Sequence, residues 1–248
     1  MNNRTEYGGY RLLYDYHTHT VFSHGKGSIE DNVRSAIEAG LRGVGISDHG
    51  PGHLTYGIKR ENIPVMKKEI ERLRIKYPEI EIYASVEANT ISVGNHLDLS
   101  QEEMDTLDYV IAGYHYGITH GYCIENYLSD HLRKERPSLK LMVKNTDMVT
   151  AALYENRIKI LTHPGDKGPF DMDELAKACE KTGTLMEINT RHYHLTGDEI
   201  KKAAKYDVSF VISSDAHTPD RVGDAASGIK LAFDSGVEPE RIVNIAKI

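Results

Sequence analysis

Two pairs of residues carry the first chemical signal in this chain. His17 and His19 stand two apart in Asp15-Tyr16-His17-Thr18-His19, and Asp215 and His217 stand two apart in Ser214-Asp215-Ala216-His217. Residues two apart in extended backbone point the same way, so each pair can grip one metal ion. Further groups of the same chemistry are Asp48-His49, Glu87, His115 and Thr162-His163-Pro164. Imidazole mixed with carboxylate suits zinc, manganese, iron or cobalt rather than the all-oxygen shells of magnesium and calcium. The ligands are too many for one tetrahedral ion; they serve two ions comfortably, and three if a carboxylate bridges. A lone buried histidine is more often a satisfied core residue, and Asp48 or Asp215 alone could cap a helix. Position decides between the readings, because these groups fall at the ends of successive short apolar runs.

Those runs are the expected strands: Tyr10–Tyr14, Gly43–Ser47, Ile80–Val86, Tyr109–Gly113, Ile158–Leu161, Leu185–Ile188 and Val208–Ile212. Their composition fits strands buried on both faces of a parallel sheet. Helices lie between them. Ser28 with Asp31, Ser100 with Glu103 and Thr196 with Glu199 read as capping boxes, and Asp171 with Glu174 as an acidic cap. Pro64 suits a first helical turn. Further helices are expected from about Thr146 to Glu155, over Val222–Asp234 and over Pro239–Ile245. The alternation implies an α/β fold with right-handed crossovers, either a closed TIM-like barrel or an open doubly wound sheet. Six of the seven strands place a His, Glu or Asp at their carboxyl end, and Asn189 ends the other. In a parallel barrel those ends share one face, so residues between Asp15 and His217 meet in one pocket.

Composition narrows the function. The 248 residues bound one large domain or two small ones. No stretch approaches the roughly 20 apolar residues of a membrane span, and Met1–Glu6 lacks a signal peptide's apolar run. Secretion and membrane insertion are disfavoured, and a cytoplasmic location is expected. The net charge of -7 argues against a basic nucleic-acid surface. Cys123 and Cys179 lie far apart, which fits neither a disulfide scaffold nor a thiolate zinc site. No GxGxxG or P-loop follows the first strand.

The ordered motifs Asp-Tyr-His-Thr-His-Thr, Ser-Asp-His-Gly, Glu87, Gly-Tyr-His, Thr-His-Pro-Gly and Ser-Asp-Ala-His resemble those of the PHP family, named for polymerase and histidinol phosphatase. The resemblance implies one metal-dependent hydrolase domain over residues 1–248. Its fold would be a distorted (β/α)7 TIM-like barrel with parallel strands and a trinuclear metal centre at the C-terminal face. It also implies that His17, His19, Glu87 and Asp215 hold one ion. Glu87 would bridge to a second ion, held also by His115 and His163, and a third would take His24, His49 and His217. Many relatives have Asp at the position of His24; with His there, the chain looks closer to stand-alone phosphatase-like members. The amidohydrolases also open with His-x-His but usually offer a lysine at the fourth strand, where this chain has His115.

Three divalent ions, zinc first with manganese or iron also suitable, would leave the site about four positive charges in excess of its two carboxylates. Such a site favours a phosphate dianion. The expected reaction is hydrolysis of a phosphomonoester by a metal-activated hydroxide, with Glu87, Asp215 and His217 closest to the chemistry. The expected substrate is a small phosphorylated metabolite, histidinol phosphate being the obvious candidate. Arg191, His192 and Arg221 are candidates to bind it, with Lys167 and His194 behind them. Asp15 and Asp48 are expected to orient ligand imidazoles, and Tyr114–Arg136 to form a lid or substrate wall. His53, His96, His120 and His131 are expected in surface loops or helices. The alternatives are a nuclease or phosphodiesterase acting on nucleotides or DNA ends, and a non-catalytic metal-binding regulatory domain. The acidic balance weighs against the first and the intact ligand set against the second.

Overall fold

The computed structural model describes residues 4–132, 138–192 and 195–248. Two short strands, β1 (Glu6–Tyr7) and β2 (Tyr10–Leu12), open the chain. The barrel strands follow: β3 (Tyr14–Thr18), β4 (Gly43–Ile46), β5 (Glu81–Ala84), β6 (Glu87–Asn89), β7 (Ile111–Gly113), β8 (Ile160–Leu161), β9 (Leu185–Asn189) and β10 (Phe210–Ser213). Strand β11 (Ile245–Lys247) returns to pair with β2 in a separate antiparallel sheet.

The parallel strands pair in the order β3-β4-β5 and β6-β7-β8-β9-β10. Strands β5 and β6 are two halves of one bent strand, the first paired with β4 and the second with β7. A bridge between His49 and Glu87 carries pairing around the bend. The seam between β10 and β3 is held by a parallel bridge from Thr18 to Ala216. It is reinforced by Asp15, whose carboxylate accepts from Ser214 N at 3.2 Å and Gly223 N at 2.8 Å. The fold is thus an α/β, distorted TIM-like barrel, one of the two arrangements left open by the strand-helix alternation and the one implied by the family resemblance.

Alternation along the strands sorts side chains between two apolar clusters. Ile111, Ile160 and Val211 fill the barrel interior with Tyr109, flanked by Tyr16, Tyr83 and Leu185. Their neighbours Ala112, Leu161, Phe210 and Ile212 belong to the larger outer cluster that includes residues of the helices. Two residues onward from Leu185 the interior position is Glu187, and four onward from Val211 it is Asp215. The period of two therefore carries the same inner face from an aromatic floor through an aliphatic layer to a charged mouth.

The helices are α1 (Ile29–Glu38), α2 (Ile63–Lys76), α3 (Gln101–Asp105), α4 (Cys123–Leu132), α5 (Leu139–Glu155), α6 (Met172–Thr182), α7 (Gly197–Ala203) and α8 (Ala226–Asp234). The three capping boxes form as expected, and Asp171 caps α6. Four expectations need correction. The barrel strand is Tyr14–Thr18, so the His-x-His pair begins inside the strand, and Tyr10–Leu12 belongs to the outer sheet. Helix α5 starts at Leu139 rather than Thr146, because Asn145 and Thr146 interrupt its apolar stripe yet lie buried. Helix α8 starts at Ala226, after a 3-10 turn at Pro219–Arg221 and a left-handed Gly223. Residues Pro239–Arg241 make one 3-10 turn only, before the chain extends into β11. No helix among the described residues is long and apolar enough to cross a membrane.

Candidate active site at the carboxyl mouth

Glu87 is the centre of the mouth. It is fully buried, and its two oxygens face different histidines. Oε1 lies 2.8 Å from His163 Nε2 and 3.4 Å from His115 Nε2, and accepts from Thr162 Oγ1 at 2.8 Å. Oε2 lies 2.9 Å from His49 Nδ1, 3.3 Å from His17 Nε2 and 3.6 Å from His19 Nε2. Asp215 Oδ1 is 3.1 Å from His19 Nε2 and 3.8 Å from His17 Nε2. Among the described residues, three groups bring their ligand atoms within 4.8 Å of one another: His17, His19 and Asp215; His49, Glu87 and His115; His19, His49 and His217. His24, from the loop after β3, is exposed, with its ring centroid 4.1 Å from that of His217 and 4.9 Å from that of His49. All nine expected ligands therefore converge, with His19 and His49 each shared between two groups.

Local backbone is bent to achieve this. The β3–β4 register shifts between Asp15 and Thr18, so adjacent Tyr16 and His17 both serve the interior, Tyr16 at the floor and His17 at the mouth. Bulges next to active sites re-aim side chains in this way. His163 and Asp215 hold positive φ of 28° and 48°, conformations uncommon for residues with a Cβ. A Cβ on Gly113 would stand 2.2 Å from Thr162 Oγ1 and 2.9 Å from His163, so only glycine lets β8 deliver His163 there.

Each orienting bond selects the imidazole nitrogen that points inward. His17 Nδ1 donates to Glu187 Oε1 at 2.8 Å, leaving Nε2 to face the carboxylates. His115 Nδ1 donates to Asn89 Oδ1 at 2.8 Å; Asn89 is held in turn by donating to Asp98 Oδ2 at 2.6 Å. His217 Nδ1 donates to the Asp215 carbonyl at 3.0 Å. This arrangement is characteristic of imidazoles that bind metal through the opposite nitrogen.

Electrostatics agree with a crowded, water-poor cluster. Burial opposes charge on Glu87, but His115, His17, His49 and His163 outweigh it and hold the carboxyl well below its ordinary range. Burial likewise opposes charge on His17, yet Glu87, Glu187 and Asp215 hold its pKa well above the usual value. His19 and His115 are pushed well below it, chiefly by burial. His49 Nε2, His115 Nε2, His19 Nδ1, Glu87 Oε2 and Asp215 Oδ1 are buried without a hydrogen-bond partner. Buried polar atoms left unpaired are costly. A cation is the partner that five imidazole and carboxylate atoms have in common, so these residues fit bound metal.

The mouth opens into a cavity of about 200 Å³ lined by His24, His49, His115, His163, Asp215 and His217 on one side. Tyr56, Lys167, Arg191 and His192 complete its wall. Lys167 pairs with Asp166 at 2.7 Å, and His192 lies 3.2 Å from Asp166 and 3.4 Å from Asp215. Arg221 instead pairs with Asp224 at 2.7 Å and is absent from the wall. A larger concavity of about 680 Å³ at the amino-terminal rim, beside Tyr109 and Lys159, contains none of the expected ligands.

Several expectations change. Asp15 ties the barrel seam, and Asp48 accepts from Thr20 N at 2.8 Å and from Ser23 Oγ at 2.5 Å, so it fixes the loop carrying His24. Neither orients an imidazole. His53 is buried against Tyr56 rather than lying on the surface. His96 and His120 are in loops and His131 is on α4, as expected. Of the Tyr114–Arg136 segment, residues 133–137 lie outside the described residues, as does His194. Glu187 was not anticipated. Its signal was a charged residue inside the apolar run Leu185–Ile188, two positions before Asn189 and so on the same face.

The PHP domain family model matches residues 15–191. The chain belongs to the PHP family and is a metal-dependent phosphoesterase. It is 30% identical to a probable phosphatase of Caldanaerobacter subterraneus subsp. tengcongensis, over 94% of this chain and 87% of that protein. A probable phosphatase of Thermoanaerobacter sp. is 29% identical, over 94% of this chain and 91% of its own length. The solved histidinol phosphate phosphatase of Lactococcus lactis, crystallised with zinc, L-histidinol and phosphate, shares the fold. Its TM-score is 0.60 at 16% identity, over 92% of this chain and 95% of that one.

Proposed function

We propose that the chain is one catalytic unit over residues 1–248 that hydrolyses a small phosphomonoester at a trinuclear centre in the cytoplasm. The observation that carries this reading is Glu87, whose two oxygens face separate groups of histidines as a bridging carboxylate would. We assign His17, His19, Glu87 and Asp215 to one ion, Glu87, His115 and His163 to a second, and His24, His49 and His217 to a third. Zinc is the proposed metal; the same ligands also suit manganese and iron.

Bound divalent ions would supply a water of lowered pKa as nucleophile and positive charge opposite the phosphoryl oxygens. The chain's own residues do the rest. Glu187 and Asn89 aim His17 and His115, so the ligands need no reorganisation on loading. Arg191 and Lys167 bring positive charge to the cavity wall facing the cluster, where they would orient a phosphate between themselves and the histidines. His192 extends that wall beside Asp215. A cavity of about 200 Å³ suits a metabolite better than a polynucleotide strand. Histidinol phosphate is the first compound to test.

The test is a phosphatase screen of small phosphomonoesters, run with bound metal quantified in the same preparation. Activity should vanish with chelation and return with added metal. Full activity after complete metal removal would defeat the proposal. Glu87→Ala should lose two ions at once, and loss of only one would contradict the bridge.

A further inference from the structure

Tyr56 belongs to the loop between β4 and α2, and its ring is clamped. His53 stacks on it at a centroid distance of 3.4 Å and an interplanar angle of 22°. His24 packs against it at 4.2 Å and 35°. The turn beneath is fixed as well. His53 Nδ1 accepts the backbone N–H groups of Thr55 and Tyr56, both at 3.3 Å, and Ile58 N donates to the His49 carbonyl at 2.8 Å. His53 is itself anchored by a strand bridge to Ile118. A ring held this way presents its edge in one place. That place is the wall of the small cavity, beside His49, His115 and Arg191. Among the described residues nothing pairs with the Tyr56 hydroxyl, although the neighbouring Tyr116 and Tyr114 hydroxyls are bonded to Asp130 and Asn126.

We propose that the Tyr56 hydroxyl contacts substrate, donating a hydrogen bond to a non-bridging oxygen of the phosphoryl group in this cavity. This rests on the phosphoesterase reading given above. The role needs only the neutral phenol. Tyr56 keeps its proton throughout, and no bond to its oxygen forms or breaks. A fixed donor aimed where charge builds on the transferring phosphoryl group stabilises the transition state more than the ground state. If the ring served only to shape the wall, its oxygen would be dispensable.

Tyr56→Phe separates these roles, because it keeps the clamped ring and deletes the one polar atom. Wild type and variant are compared on phenyl phosphate and on an alkyl phosphate, with metal content and melting temperature measured alongside. The expected result is full metal content, an unchanged melting temperature and a loss of roughly 10- to 100-fold in kcat/KM, carried mainly by kcat. The factor should be similar for both leaving groups, since the contact is to a non-bridging oxygen. Activity within twofold of wild type at full metal content would overturn the inference, and so would loss of metal from the variant. If metal-loaded wild type hydrolyses no phosphomonoester, the functional reading fails instead. Titration of inorganic phosphate into both metal-loaded proteins then decides the contact: weaker binding by the variant supports it, and equal binding overturns it.

Discussion

Glu187 holds one edge of His17 while the other edge faces Glu87 and Asp215, so its charge acts through that imidazole. Its second oxygen accepts from His163 N at 2.7 Å, which fixes a second ligand's backbone. Glu187→Gln keeps the shape and removes the charge. It should lower activity or metal affinity by about 10- to 100-fold, read as a rightward shift in metal titrations of kcat with little change in melting temperature. An unchanged titration would mean that His17 needs no orienting partner. The same residue explains what the sequence hid. His17, His19 and His217 were legible because chemistry at the ends of strands is visible as order along the chain. Glu187 and Asn89 act through contacts between residues remote in sequence. Asp15 and Asp48 erred in the opposite direction: each sits beside a histidine in sequence, yet bonds to another loop or strand in space.

Strand β4 shows how closely the elements must approach to put those residues in register. Gly45 faces Tyr16 and Tyr109 at the barrel floor, and a Cβ there would stand 1.8 Å from the Tyr109 hydroxyl and 2.6 Å from the Tyr16 carbonyl. The Tyr109 hydroxyl donates to that same carbonyl at 2.8 Å, pinning β3 at its irregular stretch. Gly45→Ala should therefore destabilise the protein by about 1–3 kcal/mol through overpacking. Tyr109→Phe should cost about 1 kcal/mol for the lost bond. The double variant should be more stable than the sum of the two losses, since removing the hydroxyl makes part of the room the methyl needs. Denaturant melts of the four proteins check this, and strict additivity would count against the packing account. Element identity was largely readable from apolar runs and caps. The boundaries that failed were those where polar residues are buried, as in α5, where Asn145 and Asn126 bond to each other between helices.

Across the whole molecule the cluster makes the metal-free protein sensitive to acid. Burial lowers the pKa of His19, His49 and His115, and pushes His53 and His192 to about 4. Below the unfolded value of about 6.5 the unfolded chain binds protons that these folded imidazoles refuse, so stability falls with pH. Glu87 and Asp215, both held well below their usual range, add to the loss below about pH 4.5. His17 and His163 are raised and oppose this, stabilising below about 6.5, but they are two against five. Melting temperature in chelator should fall between pH 7 and pH 5, and more steeply than in the metal-loaded protein until protons displace the metal. A flat profile in chelator would contradict it. The formal charge of -7 has a related meaning, because three divalent ions would cancel most of it.

The seam where Asp15 reaches Ser214 and Gly223 sets an order of events during synthesis. A nascent chain can carry His17, His19 and Glu87 out of the ribosome long before Asp215 and His217 are translated. Until then β3 and β10 cannot meet, and the earliest histidines have no finished cage to enter. Metal captured at that stage would be held by partial, exchangeable coordination. Metal loading would therefore come late, coupled to closure of the barrel, and parting of β10 from β3 should set the rate at which bound metal leaves.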